Sequence, residues 1–297
     1  MSNSSSSAAS DQWQNQVAVV TGAGSGIGAA LATHCAQQGM QVIAADIDAP
    51  GLAELEANIQ AINGKVQTRN VDVRSEQAVA QLADDCFSQY QQVNLLFNNA
   101  GVLVDGKSWE RSVRDWRWNF DVNVMGVIHG IHSFVPKMLA QNSPGKIINT
   151  ASIGGLLAGG SFLAPYQATK HAVVAITESL YAELAMEAAP VSAACLCPGD
   201  TATGIWESDR LRPEEEHNHL ASQAEQLMHN FVADMCANGF TPQQIAEKTF
   251  EAIEQDRFWI FPQPEFKALF QPRVDAIINE TAPPLPQELM DSFAQKQ

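Results

Sequence analysis

From residue 16 onward, short runs that are apolar at nearly every position alternate with longer stretches in which apolar residues return every three or four positions. The runs QVAVV (16–20), MQVIAAD (40–46), VQTRNVDV (66–73), VNLLFNNA (93–100), KIINTAS (146–152), VSAACLC (191–197) and FWIF (258–261) predict strands. The stretches between them predict helices over 26–39, 51–62, 75–90, about 109–141 and 165–189. In the first of these, Ile27, Leu31 and Cys35 share one face and Gly39 closes the helix. Strands without a polar side need cover on both faces, which predicts a parallel sheet between two helical layers. Right-handed crossovers then make the sheet doubly wound, with its ligand crevice at the carboxyl ends of the strands.

The same pattern sets expected boundaries. Residues 1–14 form a Ser-rich tail expected to be disordered, 15–262 a single α/β domain, and 263–297 a proline-rich extension. Segment 200–240 interrupts the alternation and predicts a mobile helical lid.

Composition narrows the function classes. The chain has 297 residues, with 33 acidic against 17 basic, giving a net charge of −16 and no basic cluster, which argues against nucleic acid and anionic lipid as partners. No run approaches the ~18 apolar residues of a membrane span. The first residues lack the basic start and apolar core of a secretion signal. Five scattered cysteines suit reduced thiols, so a cytoplasmic location is expected. Cys195 and Cys197 read as part of a buried strand, the seven histidines show no ligand spacing, and no metal site is expected.

Thr21-Gly22-Ala23-Gly24-Ser25-Gly26-Ile27-Gly28 follows the first strand and opens the first helix. Glycines there permit a tight turn and close approach of backbone to a pyrophosphate, to which the helix start offers N–H donors. Gly22, Gly24, Ser25, Gly26, Ile27 and Gly28 are therefore candidate cofactor contacts, and the fold expected is Rossmann-type. Asp46 ends the second strand, where a carboxylate accepts hydrogen bonds from the ribose hydroxyls. It would repel a 2′-phosphate, and neither Ser25 nor Ile47 offers a cation, so NAD is expected in preference to NADP. Asp72 and Val73, after the third strand, and Asn99, Ala100 and Gly101, after the fourth, are placed to meet the adenosine half; each also suits a local turn.

Tyr166-Gln167-Ala168-Thr169-Lys170 matches a Tyr-x-x-x-Lys motif, preceded by Asn98-Asn99-Ala100-Gly101, Asn123-Val124-Met125-Gly126 and Ser152, and followed by Pro198-Gly199-Asp200-Thr201-Ala202-Thr203. In this order, after the glycine-rich turn, the chain resembles the single-domain branch of the short-chain dehydrogenase/reductase family over about residues 17–203. The spacing of Tyr166 and Lys170 puts both on one helix face, where an ammonium favours the phenolate. A free tyrosine, with a pKa of about 10, is otherwise a poor base at neutral pH. The resemblance implies that Tyr166 exchanges the substrate proton while hydride passes between carbinol carbon and nicotinamide, and that Lys170 also holds the nicotinamide ribose. It implies that Ser152 binds the substrate oxygen, that Asn123 holds a water leading from Lys170 to solvent, and that Pro198, Gly199, Thr201 and Thr203 meet the nicotinamide side.

The expected activity is interconversion of a small-molecule secondary alcohol and its ketone. A carbonyl or 3-ketoacyl reductase working in the other direction and a non-catalytic NAD-binding protein stay open, as does an extended-branch epimerase, which the lack of a second domain disfavours. Leu156, Leu163 and Trp206 are expected to wall an apolar substrate pocket with Ser152 and Tyr166, and Leu227, Met228, Phe231 and Met235 to give the lid an apolar face. Apolar residues around much of 119–140, with Ala168, Ala172, Ala175 and Leu180 of the next helix, predict a homo-oligomer, a tetramer or a dimer.

Overall fold

The computed structural model describes residues 12–141, 143–212, 214–217 and 222–285. Its strands are β1 (Val17–Thr21), β2 (Gln41–Asp46), β3 (Lys65–Asn70), β4 (Leu95–Asn98), β5 (Gly145–Thr150), β6 (Val191–Leu196) and β7 (Trp259–Ile260). They form one parallel sheet in the order β3-β2-β1-β4-β5-β6-β7. Chain direction across the sheet reverses between β1 and β4, which opens a crevice beyond their carboxyl ends. The single-domain Rossmann-type architecture expected from the sequence is present.

Helices α1 (Gly26–Gln37), α2 (Ala49–Ala61), α3 (Glu76–Tyr90), α4 (Val113–Phe120), α5 (Gly126–Ala140), α6 (Ala164–Met186), α7 (Gln223–Asn238), α8 (Pro242–Glu254) and α9 (Gln271–Ile278) complete the fold. Alternate residues of each strand face opposite layers. Val19, Leu96 and Ile147 pack with Phe134 and Met138 of α5. Their neighbours Val20, Phe97 and Ile148 pack with Leu31 of α1 and Phe250 of α8.

Four expectations need correction. The stretch 109–141 is not one helix: a π-helical turn, Asp121–Met125, separates α4 from α5. Such turns recur at functional sites, and here Asn123 lies within it. The last strand is two residues long, with Trp259 and Ile260 in register with Cys195 and Leu196 of β6. Part of the expected tail is packed: Trp13 meets the ring of Phe250 edge-on at 6.0 Å, whereas residues 1–11 lie outside the described set. The extension is also packed in part, since Gln263, Phe266 and Arg273 all contact the body.

The apolar surface of 119–140 is largely covered within the chain. Val122, Val124, Val127, Phe134 and Val135 are buried, and Phe120 and Met125 are exposed. Helix α8 was not expected from hydrophobic period, yet its start is written in the sequence. Thr241 and Gln244 form a reciprocal capping box, and Pro242 occupies the first turn.

Candidate active site

The adenosine end of the crevice is built from backbone that tolerates no side chains. Gly22 has φ +67°, and a Cβ there would lie 2.6 Å from the Ala100 Cα. A Cβ on Gly28 would overlap the Gly22 carbonyl, so α1 rests directly on the turn. Ser25 precedes α1 without capping it, and the free N–H groups of the first turn point to an anion. Asp46 is fixed by two backbone donors: Gly24 N–H to Oδ2 (2.7 Å) and Asp48 N–H to Oδ1 (2.9 Å). Each carboxylate oxygen keeps a lone pair for a ribose hydroxyl. This cradle fits a dinucleotide.

Asp72 is less free than the sequence suggested. Arg74 grips it through Nη2 (2.6 Å to Oδ2) and Nε (3.0 Å to Oδ1). Burial works to raise the Asp72 pKa, but the Arg74 hydrogen bonds outweigh it and hold the carboxylate below its ordinary range. Both residues and Val73 line the crevice. A cation two residues beyond Asp72 therefore stands near the adenosine end, in addition to the positions of Ser25 and Ile47. Asn99 ties three strand ends together: its N–H donates to Thr21 Oγ1 (3.0 Å) and its Oδ1 accepts from Thr150 Oγ1 (3.2 Å).

At the other end, Tyr166, Lys170, Thr150, Pro198 and Thr203 face the same crevice. Ser152 Oγ accepts from the Gly154 N–H (3.0 Å) and hydrogen-bonds the Tyr166 hydroxyl. Burial pushes the Tyr166 phenol up to about 12, with the Ser152 bond acting in the other direction. Lys170 is buried, donates from Nζ to the Thr150 carbonyl (2.9 Å), and stands 5.6 Å from the centre of the Tyr166 ring. Its burial lowers it to about 8, against an opposing pull from Cys195 and Cys197. The ammonium is thus directed at a carbonyl rather than at the phenol, and without other groups the phenol is neutral and suited to donate a proton.

Asn123 serves as a brace. Its Oδ1 accepts from the Val102 N–H (2.8 Å), and its Nδ2 donates to the Val102 carbonyl and to Thr169 Oγ1 (2.9 Å each). With both polar atoms engaged, the side chain sets the distance between the loop after β4 and α6. Thr203 lines the crevice, but Thr201 does not: its Oγ1 donates to the Gly199 carbonyl and its backbone bridges to Phe240. Gly199 is likewise turned away, donating to Gln263 Oε1 (3.0 Å) beneath the Phe266 ring.

Leu163 and Trp206 belong to one apolar cluster with Tyr166, Leu103, Ile205, Met228 and Val232. Leu156 turns instead toward the cluster of Val173 and Val174, and its carbonyl accepts from Arg273 Nη1 (2.9 Å). Phe231 is exposed and takes no part. Leu103 and Ile205 had not been singled out; both flank turns whose paths only the folded chain reveals.

The lid is clamped rather than loose. Arg111 of the body pairs with Glu225 of α7, and Arg212 of the lid pairs with Asp115 of α4 (2.8 Å), with all four residues buried. Arg212 also stacks on Trp118, 4.5 Å from the ring centre. Glu225 and Asp115 each double as the acid of a helix capping box.

Residues 16–214 match the family model for short chain dehydrogenase. The chain is 30% identical over 275 residues to a "CLA biosynthesis dehydrogenase/reductase" of Lactiplantibacillus plantarum, covering 91% of this chain and 96% of that one. It is 31% identical over 282 residues to the 1-deoxy-11-beta-hydroxypentalenate dehydrogenase of Streptomyces exfoliatus, covering 93% and 94%. A crystal structure of a short chain dehydrogenase/reductase from Burkholderia phymatum in complex with NAD superposes with TM-score 0.89 at 39% identity, covering 92% and 98%. The crevice geometry and these likenesses lead to one conclusion: the chain is an oxidoreductase of the short-chain dehydrogenase/reductase family.

Proposed function

We propose that this protein interconverts a largely apolar secondary alcohol and its ketone, with NAD as the preferred cofactor. The observation that carries the reading is that Tyr166, with Ser152 beside it, and Lys170 stand at one end of a crevice whose other end is the glycine cradle and Asp46. Bound NAD would supply the hydride acceptor. Ser152 holds the substrate oxygen, and Tyr166, hydrogen-bonded to Ser152, takes or returns its proton. The rise of the phenol to about 12 favours the donor role, so alcohol oxidation needs added positive charge near the ring. Lys170, buried nearby, supplies part of it and offers its remaining donors to the nicotinamide ribose.

Asp46 supports NAD over NADP. Arg74 does not reverse this, because Asp72 neutralises it bidentately. The Burkholderia protein was crystallised with NAD, and the Streptomyces relative is named for a hydroxy compound, a hydroxypentalenate, both in keeping with a nicotinamide-dependent enzyme that acts on a hydroxyl. A homo-oligomer remains part of the proposal, now resting on exposed Phe120, Met125, Tyr181 and Met186. Light scattering tests it, with a monomeric mass as the refuting result. Among the described residues no helix is long and apolar enough to cross a membrane.

The deciding experiment measures NAD reduction across secondary alcohols of rising apolar size, for wild type and Tyr166→Phe. Turnover of the bulkier alcohols, lowered about 10³-fold by the substitution with NADH binding retained, is expected. A variant that keeps more than a few per cent of wild-type turnover would refute the role of Tyr166.

A further inference from the structure

Beside the crevice lies a second cavity, between the loop after β4 and the lid. Its lining includes Leu103, Asp105, Trp206, Arg210 and His229. Arg210 lines both spaces, and Leu103 and Trp206 belong to the same apolar cluster as Tyr166, so the two spaces adjoin. Helix α7 explains the change in character from one space to the other. Met228 and Val232, four residues apart, face the Tyr166 cluster, and His229, one position on, is rotated by about 100° toward the second cavity.

His229 is held in one orientation. Its Nδ1 lies 2.9 Å from Asp105 Oδ2, and its ring meets Trp206 edge-on at 5.4 Å. A carboxylate only accepts, so Nδ1 is the donating nitrogen. Nε2 then has no partner among the described residues and is left for whatever enters the cavity. The Asp105 carboxyl is pushed up by burial, with His229 acting in the opposite direction. Asp105 is buried and the His229 side chain is 23% exposed, so the pair is anchored in the loop while the outer nitrogen reaches the cavity.

Charge decides what that is. Asp105, Glu207 and Asp209 all line the cavity, Arg210 is directed at the carbonyls of Gly204 and Glu207, and the chain as a whole carries −16. An anionic substrate tail is disfavoured there, and a neutral group with a hydrogen to donate is favoured. We propose that the second cavity is a substrate subsite in which His229 Nε2, oriented by Asp105, accepts a hydrogen bond from a second hydroxyl of the substrate, so that the preferred substrates are apolar secondary alcohols bearing a distal phenolic or alcoholic hydroxyl. The inference rests on the proposed alcohol–ketone activity and deepens it.

A matched series tests it: 4-(4-hydroxyphenyl)butan-2-ol, its methyl ether, and 4-phenylbutan-2-ol, each assayed with NAD. The methyl ether fills the same space and accepts but does not donate. The phenol is expected to exceed the ether in kcat/KM by about 5-fold, the worth of one hydrogen bond, mostly through KM. His229→Phe should bring that ratio to about one, and His229→Gln should keep part of it. Circular dichroism and melting curves establish that each variant is folded. A ratio near one in wild type, or a ratio that survives His229→Phe, overturns the subsite. If none of the three alcohols is oxidised, the activity reading is what fails. Calorimetric titration of the enzyme–NADH complex with 4-(4-hydroxyphenyl)butan-2-one and its methyl ether then decides the subsite separately: tighter binding of the phenol, lost in His229→Phe, supports it, and equal binding refutes it.

Discussion

The two halves of the crevice are held in shape by different physics. The adenosine half is set by backbone that meets backbone: Gly22 against Ala100, Gly28 against Gly22, and Asp46 fixed by the N–H groups of Gly24 and Asp48. Its parts lie close in sequence to strand ends, and little there depends on a long side chain. The substrate half is set by side chains from distant segments. Arg111 reaches Glu225 across 114 positions and Arg212 reaches Asp115 across 97. The first design tolerates almost no substitution but needs no partner. The second is open to variation, provided that both members of each pair change together.

Breaking the lid clamp should have the largest effect. Arg111→Met removes the buried guanidinium from its ion pair with Glu225, a change that costs about 3–5 kcal/mol. Chemical denaturation should show that loss, and the double variant Arg111→Met/Glu225→Leu should recover most of it. If the single variant is as stable as wild type, the clamp is not what orders the lid. Next comes the cradle. Gly28→Ala places a methyl against the Gly22 carbonyl and should weaken NADH binding about 100-fold, read by fluorescence titration. Unlike the clamp, no second-site change of similar size should restore it.

A smaller effect is expected at Asp46. Its removal in Asp46→Ala should narrow the preference for NAD over NADP by about 10-fold, because the carboxylate no longer opposes a 2′-phosphate. Steady-state kinetics with both cofactors measure this, and an unchanged ratio would shift the selectivity to the Asp72–Arg74 pair.

The smallest concerns Lys170, where the two halves meet. Its folded value of about 8 lies below the ordinary value of about 10.4. Below pH 8 the lysine is charged in both states, so the folded protein bears the full cost of burying it. Between about pH 8 and 10 the folded state releases the proton first, and stability rises with pH. Lys170→Met should therefore raise the melting temperature by about 2–4 °C at pH 7, with the gain shrinking toward pH 10. An equal gain at both pH values would contradict a charged, buried Lys170.

The same contrast explains what could be read in advance. The strands, the glycine turn, Asp46 and the Tyr166/Lys170 spacing depend on period and local geometry, and the sequence displays both. Other features required the fold. Asn123 was visible as a motif residue, but its bracing of Val102 and Thr169 follows from a π turn that no hydrophobic period announces. Leu156 looked like a pocket residue by position and is turned away by a 3-10 turn at Ile153–Gly155. Arg74 stood two residues from a residue already singled out and was passed over, because its effect depends on the side chain folding back. The lid ion pairs carried half a signal: Ser112/Asp115 and Ser222/Glu225 are capping-box pairs in the sequence, whereas their arginine partners are not predictable from it.

The grip of residues 263–273 on the substrate end also bears on how the protein is made. Gln263 holds Gly199 and the Asp200 carbonyl, and Arg273 holds the carbonyl of Leu156. A ribosome delivers the chain from its amino end, and domains tend to fold in that order. The cradle, Asp46 and β4 emerge early, so a nascent chain has the parts of its cofactor site long before the loops beside Ser152 and Pro198 receive their last supports. During that interval the protein is equipped to bind a cofactor but not yet to use it.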